Sequence, residues 1–292
     1  MKPAPFTYHR ADSVPQTVAL LAGLAGDEHS DDQGEAKILA GGLSLVPMMN
    51  FRLARPSALV DISRIGGLSY LRAGTDGLRI GALTTHRAVE LSALPGFGVL
   101  PRAARWIGHY PIRARGTFGG SIAHADPASE WCLLAVLLEA RMIVTGLSGE
   151  RTIGAADFFE GYYTTALEPD EMITEIWFPD PAPAAALTEF AVRQGDFAIV
   201  SAGVRLDLAD GGCRGGRVVL GGVGPLPVVA DTGPLDGQPA TPATWAAMGE
   251  HAAAQIDPPA DTHGDARYRR RLAATLVSRA LAEACALNEA AR

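Results

Sequence analysis

The stretch Pro179-Asp180-Pro181-Ala182-Pro183 constrains this chain more than any other feature. Its three prolines lack backbone donors, and each pushes the residue before it out of the helical region. No helix or interior strand passes through such a segment, so the chain divides there. At about 150 residues per domain, two domains are expected from the 292 residues. The first is placed over 1–181, as two lobes of about 1–60 and 61–181, and the second over 182–292.

Local patterns fill in both parts. Ser13 before Val-Pro-Gln, with apolar Val18, Leu21 and Leu24, predicts a capped helix with proline in its first turn. A surface loop follows at 27–35, then strands at 37–40, 58–62 and 78–83. Helical patterns cover 86–94, 100–107 and 129–140, and the last feeds a strand at 142–145. Beyond the connector, 189–193, 199–208 and 217–221 read as antiparallel strands, with a hairpin turn at Asp210-Gly211-Gly212. Two helices close the chain, over 242–256 and from 266 onward, the second lining Leu272, Leu276, Ala280 and Leu281 along one face. The class is α+β in two layers.

Composition removes several functions. Hydrophobic residues at 48% and charged residues at 20% fit a globular protein rather than a disordered or fibrous one. The net charge of −7 gives no positive field for nucleic acid. The three cysteines, Cys132, Cys213 and Cys285, form no CxxC and no metal or cluster spacing, so they are expected to be reduced in a cytoplasmic protein. The longest apolar run, 131–138, is far short of the about 20 residues that span a bilayer, and MKPAPFTYHR has no apolar signal region.

Two glycine-rich loops carry the chemistry. Ala40-Gly41-Gly42-Leu43-Ser44-Leu45 places a glycine pair between a strand and a helical stretch. There the backbone can turn sharply and present successive N–H groups to a phosphate, with Ser44 adding a hydroxyl. Thr117-Phe118-Gly119-Gly120-Ser121 repeats the arrangement after Arg113 and Arg115, with Asp126 and Glu130 downstream to accept from ribose hydroxyls. Taken singly, the first loop reads more readily as an ordinary turn, and the second is evenly balanced between turn and site. Together they could hold both halves of a pyrophosphate on a non-Rossmann frame. Gly222-Val223-Gly224 runs into Pro225-Leu226-Pro227, so GxGxxG is not completed, and neither a P-loop nor a GxSxG elbow occurs.

Three ordered segments, AGGLSLVPMMNFRLARPSALVDI (40–62), IGHYPIRARGTFGGSIAHADPASE (107–130) and AVRQGDFAIV (191–200), make the chain recognisable. With Glu168-Pro169-Asp170-Glu171-Met172-Ile173 and Gly221-Gly222-Val223-Gly224-Pro225, they closely resemble the FAD-binding medium subunit of molybdenum hydroxylases, the carbon monoxide dehydrogenase and xanthine dehydrogenase family. The resemblance covers essentially the whole chain. It implies a split α+β FAD-binding domain of the vanillyl-alcohol-oxidase (PCMH) type, followed by a smaller C-terminal α+β domain with a three-stranded antiparallel sheet.

The resemblance further implies FAD as cofactor, with Ala40, Gly41, Gly42, Leu43, Ser44 and Leu45 as the first pyrophosphate loop and Thr117, Gly119, Gly120 and Ser121 as the second. Asp126 and Glu130 would lie near the nucleotide, Met172 beside the flavin, and Asp196 and Phe197 near the isoalloxazine. Partners would be a small 2Fe-2S subunit and a molybdopterin large subunit, typically in a dimer of heterotrimers, with electrons leaving to an external acceptor. Relatives often carry lysine before the Arg-x-x-Asp segment, where this chain has Thr188-Glu189; Arg193 is the available substitute. Relatives can also have tyrosine where Phe197 stands. The competing reading is a stand-alone FAD-dependent oxidoreductase with its own small substrate, for which His109, Tyr110 and Tyr163 are the loose candidate bases.

Overall fold

The computed structural model describes residues 2–25, 36–209 and 212–290. The loop expected at 27–35 and the first two residues of the turn expected at 210–212 lie outside them. The N-terminal layer is a parallel three-stranded sheet ordered β1 (Thr7–Arg10), β3 (Ala58–Asp61), β2 (Lys37–Leu39). Helix α1 (Val14–Ala25) makes the crossover between β1 and β2 that parallel pairing requires. Ser13 Oγ accepts from the Gln16 N–H at 3.3 Å, and Gln16 reaches back to the Asp12 N–H at 2.7 Å, so the start is closed from both sides. Helix α2 (Leu45–Asn50) follows the first glycine pair.

A five-stranded antiparallel sheet comes next, built from β4 (Leu71–Gly74), β5 (Gly77–Gly81), β6 (Arg141–Gly146), β7 (Gly149–Gly154) and β10 (Met172–Phe178). Its order is β4-β5-β10-β6-β7, which puts the last strand in the middle. Between β5 and β6 run short helices α3 (His86–Glu90), α4 (Val99–Ala103), α5 (Tyr110–Arg113) and α6 (Phe118–His124), then α7 (Glu130–Leu137). Helix α8 (Ala155–Phe158) and the hairpin β8 (Phe159–Gly161)–β9 (Thr164–Thr165) precede β10. All eight residues of α7 are buried. Such a helix needs cover on every side. Trp131 stacks on Phe118 with centroids 4.5 Å apart, and Phe118 meets Phe178 edge-on at 6.0 Å. Leu133, two residues and about half a turn further on, packs against the C-terminal sheet at Gly203, which has no side chain to obstruct it.

After the proline-rich connector, the chain forms an antiparallel sheet β11 (Ala185–Phe190), β12 (Val200–Ala209), β13 (Gly212–Gly221), β14 (Val228–Ala230). It has four strands rather than the expected three. The Pro225-Leu226-Pro227 reversal returns three residues alongside β13, too short a run to show a period. The first strand also lies four residues earlier at its start than expected. Ala184 and Ala186 face one core and Ala185 and Leu187 the other. Helices α9 (Pro242–Ala254) and α10 (Ala266–Ala290) cover the far face, with Gly249 directly against the Ala274 carbonyl. Among the described residues no helix is long and apolar enough to cross a membrane.

Candidate functional site

The two glycine loops meet. A Cβ on Gly41 would strike the carbonyl oxygen of Arg115 and lie 3.0 Å from the Cα of Gly116, so only a bare backbone fits there. A Cβ on Gly120 would lie 3.7 Å from that of Ala40. Gly42 has φ +75°, which glycine adopts without strain. Among the described residues, the N–H groups of Gly41, Gly42, Leu43, Ser44 and Leu45 donate to no protein acceptor, because the first bonds of α2 are Val46 N–H to Gly42 and Met48 N–H to Ser44. Five successive free donors beside a helix start form an anion cradle.

The second loop is built differently from a run of free donors. Thr117 caps α6, its hydroxyl accepting from the Gly120 N–H at 3.2 Å. The Phe118 and Gly119 N–H groups donate to the Thr84 and Ala82 carbonyls at 2.8 and 2.9 Å. A Cβ on Gly119 would fall 2.6 Å from that of Ala82. What this loop offers the first is exposed Gly120 backbone and the Ser121 hydroxyl, itself 3.0 Å from Ser129 Oγ. Behind it, the Gly116 carbonyl accepts from the His86 N–H at 3.0 Å. Burial, assisted by the Arg113 charge, pushes His86 down to about 4.

The remaining expected residues separate into three places. Asp126, Asp196 and Phe197 line one cavity of about 520 Å³ with Tyr162, Tyr163 and Arg193. The Asp126 carboxylate accepts from the Ala128 N–H at 2.9 Å. Burial and the neighbouring Asp126 raise the Tyr163 hydroxyl above its ordinary value, and the Tyr163 ring lies 5.1 Å from that of His124. Glu130, at the start of α7, is buried and faces the C-terminal sheet; burial first, then Glu189, holds its carboxyl well above the usual range. Met172 is fully buried in the small core formed with Leu21, Val60 and Leu83, and lines neither cavity described here.

Of the other candidates, His109 packs against Gly195 and Tyr110 is exposed beneath the Arg87 guanidinium, 5.6 Å away. Arg193 lines the first cavity and a second of about 350 Å³ bounded by Trp106, Glu189 and Phe190. Sequence reasoning missed Tyr162 and Ser129. The tandem tyrosines after Gly161 were the available signal for the first, and Ser129 three residues before Cys132 is a capping position. Among the described residues no group of three His, Cys, Asp or Glu side chains could hold a metal ion.

Residues 4–181 match the family described as FAD binding domain in molybdopterin dehydrogenase, and residues 185–284 match the CO dehydrogenase flavoprotein C-terminal domain. The chain is 39% identical to the 6-hydroxypseudooxynicotine dehydrogenase complex subunit alpha of Paenarthrobacter nicotinovorans, over 97% of this chain and 96% of that protein. It is 35% identical to the carbon monoxide dehydrogenase medium chain of Hydrogenophaga pseudoflava, over 96% and 97% of the two chains. Its fold superposes on a chain of quinoline 2-oxidoreductase from Pseudomonas putida 86 with a TM-score of 0.92, at 32% identity and 100% coverage of both. The loops fit the family's cofactor, and this chain belongs to the FAD-binding medium subunits of the molybdenum hydroxylases, the family of the carbon monoxide dehydrogenase medium chains.

Proposed function

We propose that this chain carries electrons from a small 2Fe-2S subunit, through FAD, to an external acceptor, within a complex whose molybdopterin subunit oxidises the substrate. The observation that supports it most is the run of five free N–H groups from Gly41 to Leu45 where the second glycine loop touches the first. That cradle suits a pyrophosphate and needs no lysine to hold it.

FAD, when bound, supplies a ring that takes up and releases electrons. The residues of this chain bind and orient it. The 41–45 N–H groups, with the Ser44 and Ser121 hydroxyls, hold the diphosphate by charge-assisted hydrogen bonds. Asp126 and Asp196 accept from cofactor hydroxyls or ring N–H groups, Arg193 supplies the nearby positive charge, and Phe197 and Tyr163 exclude water from the cavity wall. Residues 1–181 are assigned to FAD binding and 182–292 to the C-terminal cover. The complex is proposed as a cytoplasmic dimer of heterotrimers. With cysteines only at 132, 213 and 285, the chain supplies no four-thiolate set of its own, which favours electron entry from another subunit.

The test is the visible spectrum of the purified chain after adding FAD and desalting. Retained flavin absorbance, lost in Gly42→Val and Gly120→Val, is the expected result. Flavin bleached by a small substrate with no partner present would favour the stand-alone oxidoreductase. Flavin retained neither by the chain nor by the complex with its iron–sulfur and molybdenum partners would overturn the reading.

A further inference from the structure

The contact between α7 and the C-terminal sheet is apolar except at its two ends: Glu139, past the last turn, pairs with Arg205 and Arg217 of the sheet, and Glu130 sits in the first turn. Ala185 and Leu187 of β11 point into the core that holds Trp131 and Leu133, and Glu189 continues the same face of the strand. Glu189 lies opposite Ser201 of β12, and Ser201 opposite Gly221 of β13, so the three form one row beneath α7. A Cβ on Gly221 would stand 2.5 Å from Ser201 Oγ, 3.2 Å from Leu133 and 3.5 Å from the Pro127 carbonyl. Pro127 and Leu133 bracket Glu130. The row therefore runs under the first turn of the helix, where Glu130 is 6% exposed and Ser201 1%.

Polar atoms in this seam lack partners. Ser201 Oγ and Glu189 Oε2 are buried without a hydrogen bond among the described residues. Such atoms in native interiors are met by a proton, a neighbour or an ordered water. Glu189 also borders the cavity of about 350 Å³, which is space enough for water to reach it. No cation is among the charges acting on either carboxyl.

We propose that Glu130, Glu189 and Ser201 form a protonation site that holds one shared proton and an ordered water between the two halves, and that its ionisation opposes retention of an anionic cofactor by the glycine loops. The second clause rests on the FAD reading above. Two carboxyls in one apolar seam do not both ionise near neutrality. Burial and mutual repulsion raise Glu130, with Asp126 adding to the effect and the backbone N–H at the start of α7 offsetting only part of it. Burial raises Glu189. The other titratable or charged groups near the seam are Cys132, whose thiol is pushed up to about 12 chiefly by burial and stays neutral, Arg193, exposed on the cavity rim, Arg269, whose guanidinium is held by the Ile199 and Gly222 carbonyls and Asp261, and, further along the sheet, Arg205 and Arg217, which pair with Glu139.

The connection to the loops is short. Ser129 caps α7 beside Glu130, and its hydroxyl is 3.0 Å from that of Ser121 in the second loop. A negative charge gained at the seam is therefore gained close to where a diphosphate would sit. By reciprocity, an anion bound at the loops raises the proton affinity of the seam.

The test is FAD affinity of the full chain, by flavin fluorescence, from about pH 5.5 to pH 9. The expected wild-type Kd rises toward alkaline pH, at most about tenfold per unit, while in Glu189→Gln, where only Glu130 is left to ionise and without its repelling neighbour, the rise is displaced to lower pH and shallower over this range. An infrared spectrum of the cofactor-free wild type at pH 7 gives a second readout, in which the carbonyl stretch of a protonated carboxyl is expected. A level wild-type Kd, or a variant with the wild-type slope, overturns the linkage. Absence of the protonated band overturns the proton site even if Glu189→Gln fails to fold. Failure to bind FAD at any pH overturns the cofactor reading and the linkage with it, while the infrared band still decides the seam.

Discussion

Trp131 Nε1 donates to His86 Nδ1 at 2.9 Å inside the core, and this bond ties α7 to the back of the second glycine loop. A Cβ on Gly116 would stand 2.6 Å from the other ring nitrogen, so the imidazole is the wall against which the loop turns. The ring is neutral there, because burial disfavours its charged form.

That neutrality has a sign in pH. The folded value of His86 lies near 4, below the ordinary 6.5, so its stabilisation is present above 6.5 and is lost as pH falls toward 4. The full difference is about 3 kcal/mol. Urea midpoints measured from neutral to acid pH should fall through this window, and His86→Gln should flatten that limb while lowering the midpoint at pH 7.

Glycines in the chain should respond according to their surroundings. Gly41→Ala drives a methyl into the Arg115 carbonyl, which parts the two loops at a cost of about 1–3 kcal/mol. Flavin retention after desalting should fall at least about tenfold with it. Gly23, inside α1 with nothing within 4 Å of its Cβ position, gives the opposite result. Gly23→Ala should raise stability by about 0.5–1 kcal/mol and leave flavin retention unchanged.

Thr117 acts through its hydroxyl. Thr117→Val keeps the shape but strands the Gly120 N–H and should cost about 1 kcal/mol, with weaker flavin retention. Thr117→Ser keeps the acceptor and should behave as wild type in both thermal melting and retention.

Arg269 closes the C-terminal unit from within. Its guanidinium donates to the Ile199 and Gly222 carbonyls at 2.5 and 2.9 Å and to Asp261 at 2.6 Å, in a side chain 4% exposed. Arg269→Met leaves two carbonyls without donors and should cost about 2–4 kcal/mol in chemical denaturation. Arg269→Lys should recover only part, since one ammonium cannot reproduce the fork.

What the sequence made legible was punctuation. Ser13 with Pro15 marks α1, the glycine pairs mark the loops, and the prolines at 179, 181 and 183 mark the passage from β10 to β11. Strands β4 and β7 escaped because they are sheet edges whose side chains mostly face water, which leaves no apolar alternation to read. Strand β11 began unseen because alanines carry little strand preference; Ala184 to Ala186 are buried only because small side chains let the sheet lie close to its neighbours. The placing of Met172 in the core against which Ala40 of the first loop packs, and the meeting of Glu130 with Glu189, follow from tertiary packing that neither local pattern records.

The position of β10 carries a consequence for synthesis. It pairs with β5 on one side and β6 on the other, yet is the last of the five strands to be made. As the chain leaves the ribosome, β4–β5 and β6–β7 emerge as two separate hairpins, each with an open inner edge. Only when residue 178 has appeared can the central strand slot between them, and the proline segment is the next stretch to emerge. The two hairpins must therefore wait with apolar surface uncovered, the interval in which a nascent chain most needs a chaperone.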